Sequence, residues 1–173
     1  NVVKIKLTSD GSVQKNGFTV TNISETGEVV PEGDASEFAG GDGTESNPYL
    51  IANATQLNNV RKYLSAHFKM TADIVFTDAD PDWVSIGDAT TPFTGTFDGD
   101  GHTISGLKQD ISASADAYGG LFGYTKNATI KNVTFENVYI NIPCLDIDHS
   151  QGHIGAVAGS LEGTSTIENV TVK

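Results

Sequence analysis

Between Thr129 and Ile140 the apolar and polar positions follow short, broken alternations rather than a helical period. Ile130, Val133, Phe135, Val138 and Ile140 fall on one side of the chain, and Lys131, Thr134, Glu136 and Tyr139 on the other. A strand alternates with period two. The step of three from Ile130 to Val133 breaks that period and puts Asn132 at a bend. Asn tolerates the left-handed backbone such a bend needs. The phrase Thr129-Ile130-Lys131-Asn132-Val133-Thr134 then returns as Thr166-Ile167-Glu168-Asn169-Val170-Thr171, and Thr103-Ile104-Ser105-Gly106-Leu107 reads as a looser copy. A glycine box precedes each close copy, Gly119-Gly120-Leu121-Phe122-Gly123 and Gly155-Ala156-Val157-Ala158-Gly159. The boxes recur after 36 residues (119 to 155) and the phrases after 37 (129 to 166). Two linked motifs at nearly one spacing mark a repeat of β type, too short to fold alone, whose copies stack. Stacking predicts a column in which Asn132 and Asn169 bond through their amides at about 4.8 Å, as in cross-β ladders. It also predicts a coil of short strands, since the chain must turn several times per circuit.

The remaining sequence divides at about residue 33. In residues 1–33, Lys4-Ile5-Lys6-Leu7 and Phe18-Thr19-Val20-Thr21 alternate around an Asp10-Gly11 turn, a short β segment or the remnant of a preceding domain. Pro31-Glu32-Gly33-Asp34 is a polar linker. Residues 34–173 carry the repeats. They open with a glycine-rich loop from Phe38 to Thr44 and a short strand ending at Ile51. A helix is expected at about 54–66, with Asn53 as its cap and Leu57, Val60 and Leu64 on one face. Its apolar stripe suits it to cover the N-terminal end of the array, because bare strand edges recruit other chains; the alternative is a helix lying on a sheet face. Strands follow at Lys69–Phe76 and Pro92–Phe97, the second closed by the turn Asp98-Gly99-Asp100-Gly101. Val170-Thr171-Val172-Lys173 reads as a further strand, so continuing repeats or an end-to-end contact are expected beyond it.

Charge narrows the partners. Ten Lys and Arg against 22 Asp and Glu give a net charge of −12. Phosphate binding needs clustered positive charge, so the balance argues against nucleic acid as a partner and against docking on anionic lipid by a basic face. Cys144 is the one cysteine, so no internal disulfide forms. No run approaches the ~18 apolar residues of a membrane helix, so this segment is not expected to insert in a membrane. The chain starts in strand-like sequence without Met, as a mature or cut-down portion would.

Several residue groups invite a chemical reading. Asp78, Asp80 and Asp82 alternate like the front of a calcium loop, but Trp83 stands where the sixth-position Gly is needed and Ala89 where the twelfth-position Glu is needed. An acidic turn that keeps an edge from pairing is the plainer reading. Asp98, Asp100 and His102 juxtapose two acids and a histidine, which on a sugar could act as acid and base; Asp and Gly are also what a tight turn demands. Asp146, Asp148, His149 and His153, with Cys144 nearby, mix metal-ligand types at a spacing that fits no zinc signature, and read as an exposed loop suited to recognition. Arg61 is the one arginine and sits in the expected helix. A glycan-cleaving site would need a base such as Lys108, Lys126 or Lys131 beside converging acids, and no such run accompanies them. No nucleophile elbow, zinc-protease motif or P-loop occurs. Trp83 is expected to be packed, and Tyr118, Tyr124 and Tyr139 to face outward from strands. No catalytic, cofactor-binding or metal residue is assigned.

The ordered set Phe38 to Ile51, the helix, Ala72-Asp73-Ile74, Trp83-x-x-Ile86-Gly87, the run Phe93 to Leu107 and Gly120-Leu121-Phe122-Gly123 resembles the GLUG-motif repeat family. Such repeats are found in bacterial surface proteins and adhesins, and in extracellular regions attached to IgA-cleaving metallopeptidases. Gly155-Ala156-Val157-Ala158-Gly159 departs from the motif, and residues 1–37 lie outside the resemblance. The resemblance implies an all-β, right-handed parallel β-helix with an N-terminal helix cap, secreted or on the bacterial cell surface. It places Asp98–His102 in the scaffold and implies no reaction. The expected function is a non-catalytic, adhesin-type binding module that needs no cofactor and contacts a host or matrix protein or glycan. A carbohydrate-active β-helix enzyme and a passive spacer are the alternatives.

Overall fold

The computed structural model describes residues 37–111, 117–141 and 152–173. The expected β segment at 1–33 lies outside them. Among the described residues the chain is mostly β, with one short helix. In order, the elements are β1 (Tyr49–Ile51), α1 (Ala54–Asn59), a 3-10 turn (Val60–Lys62), β2 (His67–Met70), β3 (Ile74–Val75), β4 (Thr96–Asp98), β5 (Thr103–Ser105) and β6 (Lys108–Asp110). Then follow β7 (Ala117–Gly119), β8 (Phe122–Lys126), β9 (Thr129–Lys131), β10 (Thr134–Glu136), β11 (Tyr139–Asn141), β12 (Gly152–Ile154), β13 (Ala158–Glu162), β14 (Thr166–Glu168) and β15 (Thr171–Val172).

Every paired strand is parallel to its partner. The largest sheet runs β1-β2-β4-β9-β14 and the next β15-β10-β5-β3, while β6 pairs with β11, β7 with β12 and β8 with β13. Strands adjacent in sequence thus enter different sheets, and strands one repeat apart pair. Ile130 lies opposite Ile167 and Phe97 opposite Ile130. Ile104, Phe135 and Val172 form a second column. Ile130, Val133 and Phe135 are buried as the pattern predicts, Val138 packs on the core, and Ile140 is only half-buried.

The looser copy is aligned differently than expected. Thr103-Ile104-Ser105 pairs with Thr134-Phe135-Glu136, and the partner of Thr129-Ile130-Lys131 is Thr96-Phe97-Asp98. The corner between these two strands holds four residues (99–102) in the earlier copy and two (132–133) in the later one, which hides the match. The strand expected over 69–76 is also two strands, β2 and β3, belonging to different sheets. The helix is shorter than the expected 54–66 because Tyr63 leaves helical space (φ −134°, ψ 57°). Asn53 caps it as expected, its side chain accepting from the Gln56 N–H at 3.0 Å.

One apolar core connects the sheets. Phe68, Phe97, Phe122 and Phe135 are essentially inaccessible, and burying each contributes about 1.5–3 kcal/mol. Phe93 and Phe122 meet at 4.5 Å between ring centroids, and Phe97 meets Phe122 edge-on at 5.6 Å. At the β1 side, Leu57 and Val60 join the core, and Phe38 stacks on Tyr49 at 4.4 Å. The outer edge of β1 is occupied: Ala39 N–H donates to Leu50 O and Leu50 N–H to Gly40 O, both at 2.8 Å.

Candidate binding groove

The strap from Thr77 to Ser85 is held by polar contacts that start from residues of no regular element. Asp80 accepts from both the Thr77 N–H (2.7 Å) and hydroxyl (2.8 Å), closing a local turn. Trp83 is buried, as expected; its backbone N–H donates to Lys108 O at 2.7 Å and its indole Nε1–H to Leu121 O at 3.1 Å. Phe76 meets its ring edge-on at 5.5 Å. Buried Gln109 fixes the far side of the strap. Its Nε2 donates to Trp83 O (3.0 Å) and to Ser85 Oγ (2.9 Å), and its Oε1 accepts from the Gly120 N–H (2.7 Å). A buried amide so fully bonded fixes one arrangement of the segments it joins.

Arg61, from the 3-10 turn, lies over the Trp83 ring with its guanidinium carbon 5.5 Å from the centroid. Its Nη2 donates to Val84 O at 2.8 Å and its Nε to Asn58 O and Oδ1. Two grooves flank the Trp83–Val84 strap and share Arg61 as a wall. One, of about 530 Å³, continues past Phe76, Pro81 and the carboxylates of Asp80 and Asp82. The other, of about 570 Å³, runs past Ser85, Gln109 and Tyr118. Both volumes suit a small ligand. Burial lowers the Arg61 pKa, while the hydrogen bond to Asp82 and the charges of Asp82, Asp110 and Asp78 raise that of Lys108. The Thr77 N–H and hydroxyl hold Asp80 below the ordinary carboxylate range.

The residues singled out from the sequence disperse. Asp78, Asp80 and Asp82 do not converge: Asp80 serves its own turn and Asp82 pairs with Lys108 at 3.4 Å. In the Asp98–His102 box, Asp98 faces Lys131 (3.4 Å), Asp100 faces Lys69 (3.0 Å) and His102 Nδ1 faces Asp73 (3.1 Å). Lys126 pairs with Glu162 at 3.1 Å. Asp146, Asp148, His149 and Cys144 lie outside the described residues. His153 stacks on Tyr118 at 5.1 Å, and Tyr124 meets Tyr118 edge-on at 5.4 Å. Tyr139 faces outward, and Tyr118 and Tyr124 are half-buried. Among the described residues, no three His, Cys, Asp or Glu side chains are grouped to hold a metal ion, and no helix is long and apolar enough to cross a membrane. The Arg61–Trp83 pairing is not readable from the sequence, since the two are 22 positions apart, with β2, β3 and the irregular Thr77–Asp82 stretch between them.

The chain is similar to portions of two much longer proteins and to one solved structure. It is 36% identical over 151 residues to a protein described as a Gly-rich membrane protein from Evansella cellulosilytica, covering 83% of this chain and 16% of that protein. It is 33% identical over 141 residues to Halomucin from Haloquadratum walsbyi, covering 76% of this chain and 1% of that protein. The chain therefore spans a small part of the curated relatives it matches. A solved structure described as an immunoglobulin A1 protease from Bacteroides ovatus aligns with a TM-score of 0.49 and 35% identity, covering 61% of this chain and 31% of that one. Residues 50–173 match the family model for the M26 IgA1-specific metallo-endopeptidase N-terminal region, and the chain belongs to that family.

Proposed function

We propose that this chain is a non-catalytic binding module of the bacterial exterior, built as a right-handed parallel β-helix of GLUG-type repeats. The observation that carries the reading is the register. β8, β9 and β10 lie in three sheets, and each pairs in parallel with the strand 36 or 37 residues later, as Phe122 with Ala158, Thr129 with Thr166 and Thr134 with Thr171. A coil that returns once per repeat accounts for all three pairings. Its hand follows from the strong preference of parallel crossovers. The glycine box fits its place in such a coil: Leu121 and Phe122 are buried, and a Cβ on Gly123 would lie 2.5 Å from Gly87 O. Ala39, Gly40 and α1 would then close the first turn of the coil. Family membership and relatives described as membrane or halomucin proteins support an extracellular or cell-surface location, and the family is defined by the region N-terminal to the peptidase.

The work assigned to the module is adhesion: a rigid ridged face and its loops contact a host or matrix protein or a glycan without covalent chemistry. The test is a screen of the soluble chain against immobilised glycans and extracellular-matrix proteins over a range of salt. Saturable binding to one of them is expected. Failure to bind any of them at any salt would assign the chain to a passive spacer. Turnover of a glycan without a bound complex would assign it to the enzymes.

A further inference from the structure

We infer that the groove beside Arg61 is a binding site for a carboxylate-bearing sugar, with the guanidinium holding the carboxylate and Asp80 and Asp82 accepting ring hydroxyls. The inference rests on the reading of the chain as a binder of extracellular ligands and names one ligand class and its place. Its first support is a cation without a counterion. Arg61 cannot lose its charge, and it is half-buried over Trp83. Its hydrogen-bond partners among the described residues are neutral, namely Asn58 O and Oδ1 and Val84 O, and among those residues no carboxylate stands within ion-pair distance of it. Nη1 has no hydrogen-bond partner among them. By contrast, Lys62, Lys69, Lys108, Lys126, Lys131 and Lys173 each face a carboxylate. A guanidinium presents a planar fork that matches a carboxylate bidentately.

The walls decide between ligand classes. Phe76, Pro81 and Val84 offer apolar surface to the C–H face of a ring, and Val84 is 69% exposed at the rim. The groove also contains two acceptors. Asp80 uses Oδ2 for both Thr77 donors, and Asp82 uses Oδ1 toward Lys108, so each carboxylate keeps an oxygen with no partner among the described residues. An acidic peptide would bring further negative charge against these carboxylates. A sugar acid supplies one negative group for Arg61 and several neutral hydroxyl donors for Asp80 and Asp82, so each polar group of the wall meets a suitable partner.

The test is an NMR titration of the 173-residue chain with methyl glucuronoside, with methyl glucoside as the neutral control, up to ~10 mM because small-ligand affinities reach that range. The expected result is a saturable shift of the Trp83 indole N–H and the Arg61 Nε–H by the uronoside, with the glucoside at least tenfold weaker. Arg61→Gln should weaken binding at least tenfold, and Arg61→Lys should restore part of it. Val84→Glu, a rim substitution that leaves Arg61 in place, should weaken it similarly; it keeps the test open if Arg61→Gln does not fold. Equal response to both sugars, no response at Trp83, or wild-type affinity in Val84→Glu would overturn the site. If the glycan and matrix screen is positive while Trp83 stays silent, the groove assignment fails and the module reading stands. If the screen is negative as well, both fail.

Discussion

Asn169 donates its side-chain amide to Asn132 across one repeat, Nδ2 to Oδ1 at 3.2 Å, and Asn132 does the same to Asp98 Oδ1 at 3.0 Å. Both asparagines occupy left-handed backbone, at φ 50° and 55°. One residue type thus supplies the bend and the bond between neighbouring strands. Asn132→Ala removes both amide bonds and strains the backbone. It should cost about 3–4 kcal/mol, from about 1–2 for the left-handed conformation and about 1 for each of the two hydrogen bonds. Asn132→Gly keeps the bend and should cost about half as much. Urea unfolding of the two variants checks this; equal losses would mean that the backbone conformation contributes nothing.

Asp98 gives the fold an acid-sensitive tie. Partial burial alone would raise its pKa, but the Asn132 amide, the Asp100 N–H and the Lys131 ammonium together outweigh it and hold the pKa below the ordinary value. A carboxylate depressed in the folded state stabilises that state above its unfolded pKa, and this contribution is lost as pH falls through the folded value. Stability should therefore drop as the pH goes below the ordinary carboxylate range. Asp98→Asn should be less stable than wild type at pH 7 and lose less between pH 7 and pH 3. Parallel pH–stability curves for the two proteins would remove Asp98 from the account.

Gln109 bridges the strap and the glycine box through three hydrogen bonds. Gln109→Leu fills the same space and strands the buried Gly120 N–H and Trp83 carbonyl. The expected cost is about 2–6 kcal/mol, since each of the two buried groups left unmade costs about 1–3. A red shift and broadening of Trp83 fluorescence should accompany it. Unchanged emission would mean the strap is held without the amide.

Two glycines should separate space from conformation. A Cβ at Gly95 would lie 2.0 Å from Ala66 O, a backbone atom with nowhere to move. Gly101 has φ +86° but nothing within 4 Å. Gly95→Ala should therefore be severely destabilised or unfolded, whereas Gly101→Ala should lose only about 1–2 kcal/mol. Thermal melts in which Gly101→Ala is the worse variant would contradict this ordering.

The edge formed by β14 and β15 alternates Thr and Glu with two exposed apolar residues and is unpaired among the described residues. Ile167 is 40% exposed and Val172 55%, although each lies beside a buried residue of the preceding copy, Ile130 and Phe135. Unpaired edges of this kind recruit other chains. The β1 edge is occupied, so contact should join two copies of the β14–β15 edge rather than propagate. For the 173-residue chain taken by itself, light scattering should show a concentration-dependent dimer, and Ile167→Lys with Val172→Lys should return it to monomer. A strict monomer at high concentration sinks this expectation.

What the sequence made legible was the periodic part. The close copies are in perfect register, so Ile130 could be placed beside Ile167 and Asn132 beside Asn169 from spacing alone. Thr103 was misplaced because corner length is free: two extra residues in Gly99-Asp100-Gly101-His102 shift the match, so a repeat read by spacing finds the wrong Thr-Ile pair. Burial of Trp83 follows from its size, but its stacking with Arg61 does not. That contact is set by where an irregular strap crosses a short helical turn, and neither has a period to read.

Corners of unequal length between strands of fixed register have a use. Four residues at 99–102 stand where 132–133 suffice, and three at 163–165 stand where 127–128 suffice, yet the flanking pairs Asp98–Lys131, Thr103–Thr134, Lys126–Glu162 and Thr129–Thr166 all hold. The parallel pairing thus tolerates extra residues at the corners between strands without a change of register. Foreign peptide spliced at the Gly99–His102 corner would be displayed between strands whose register stays fixed.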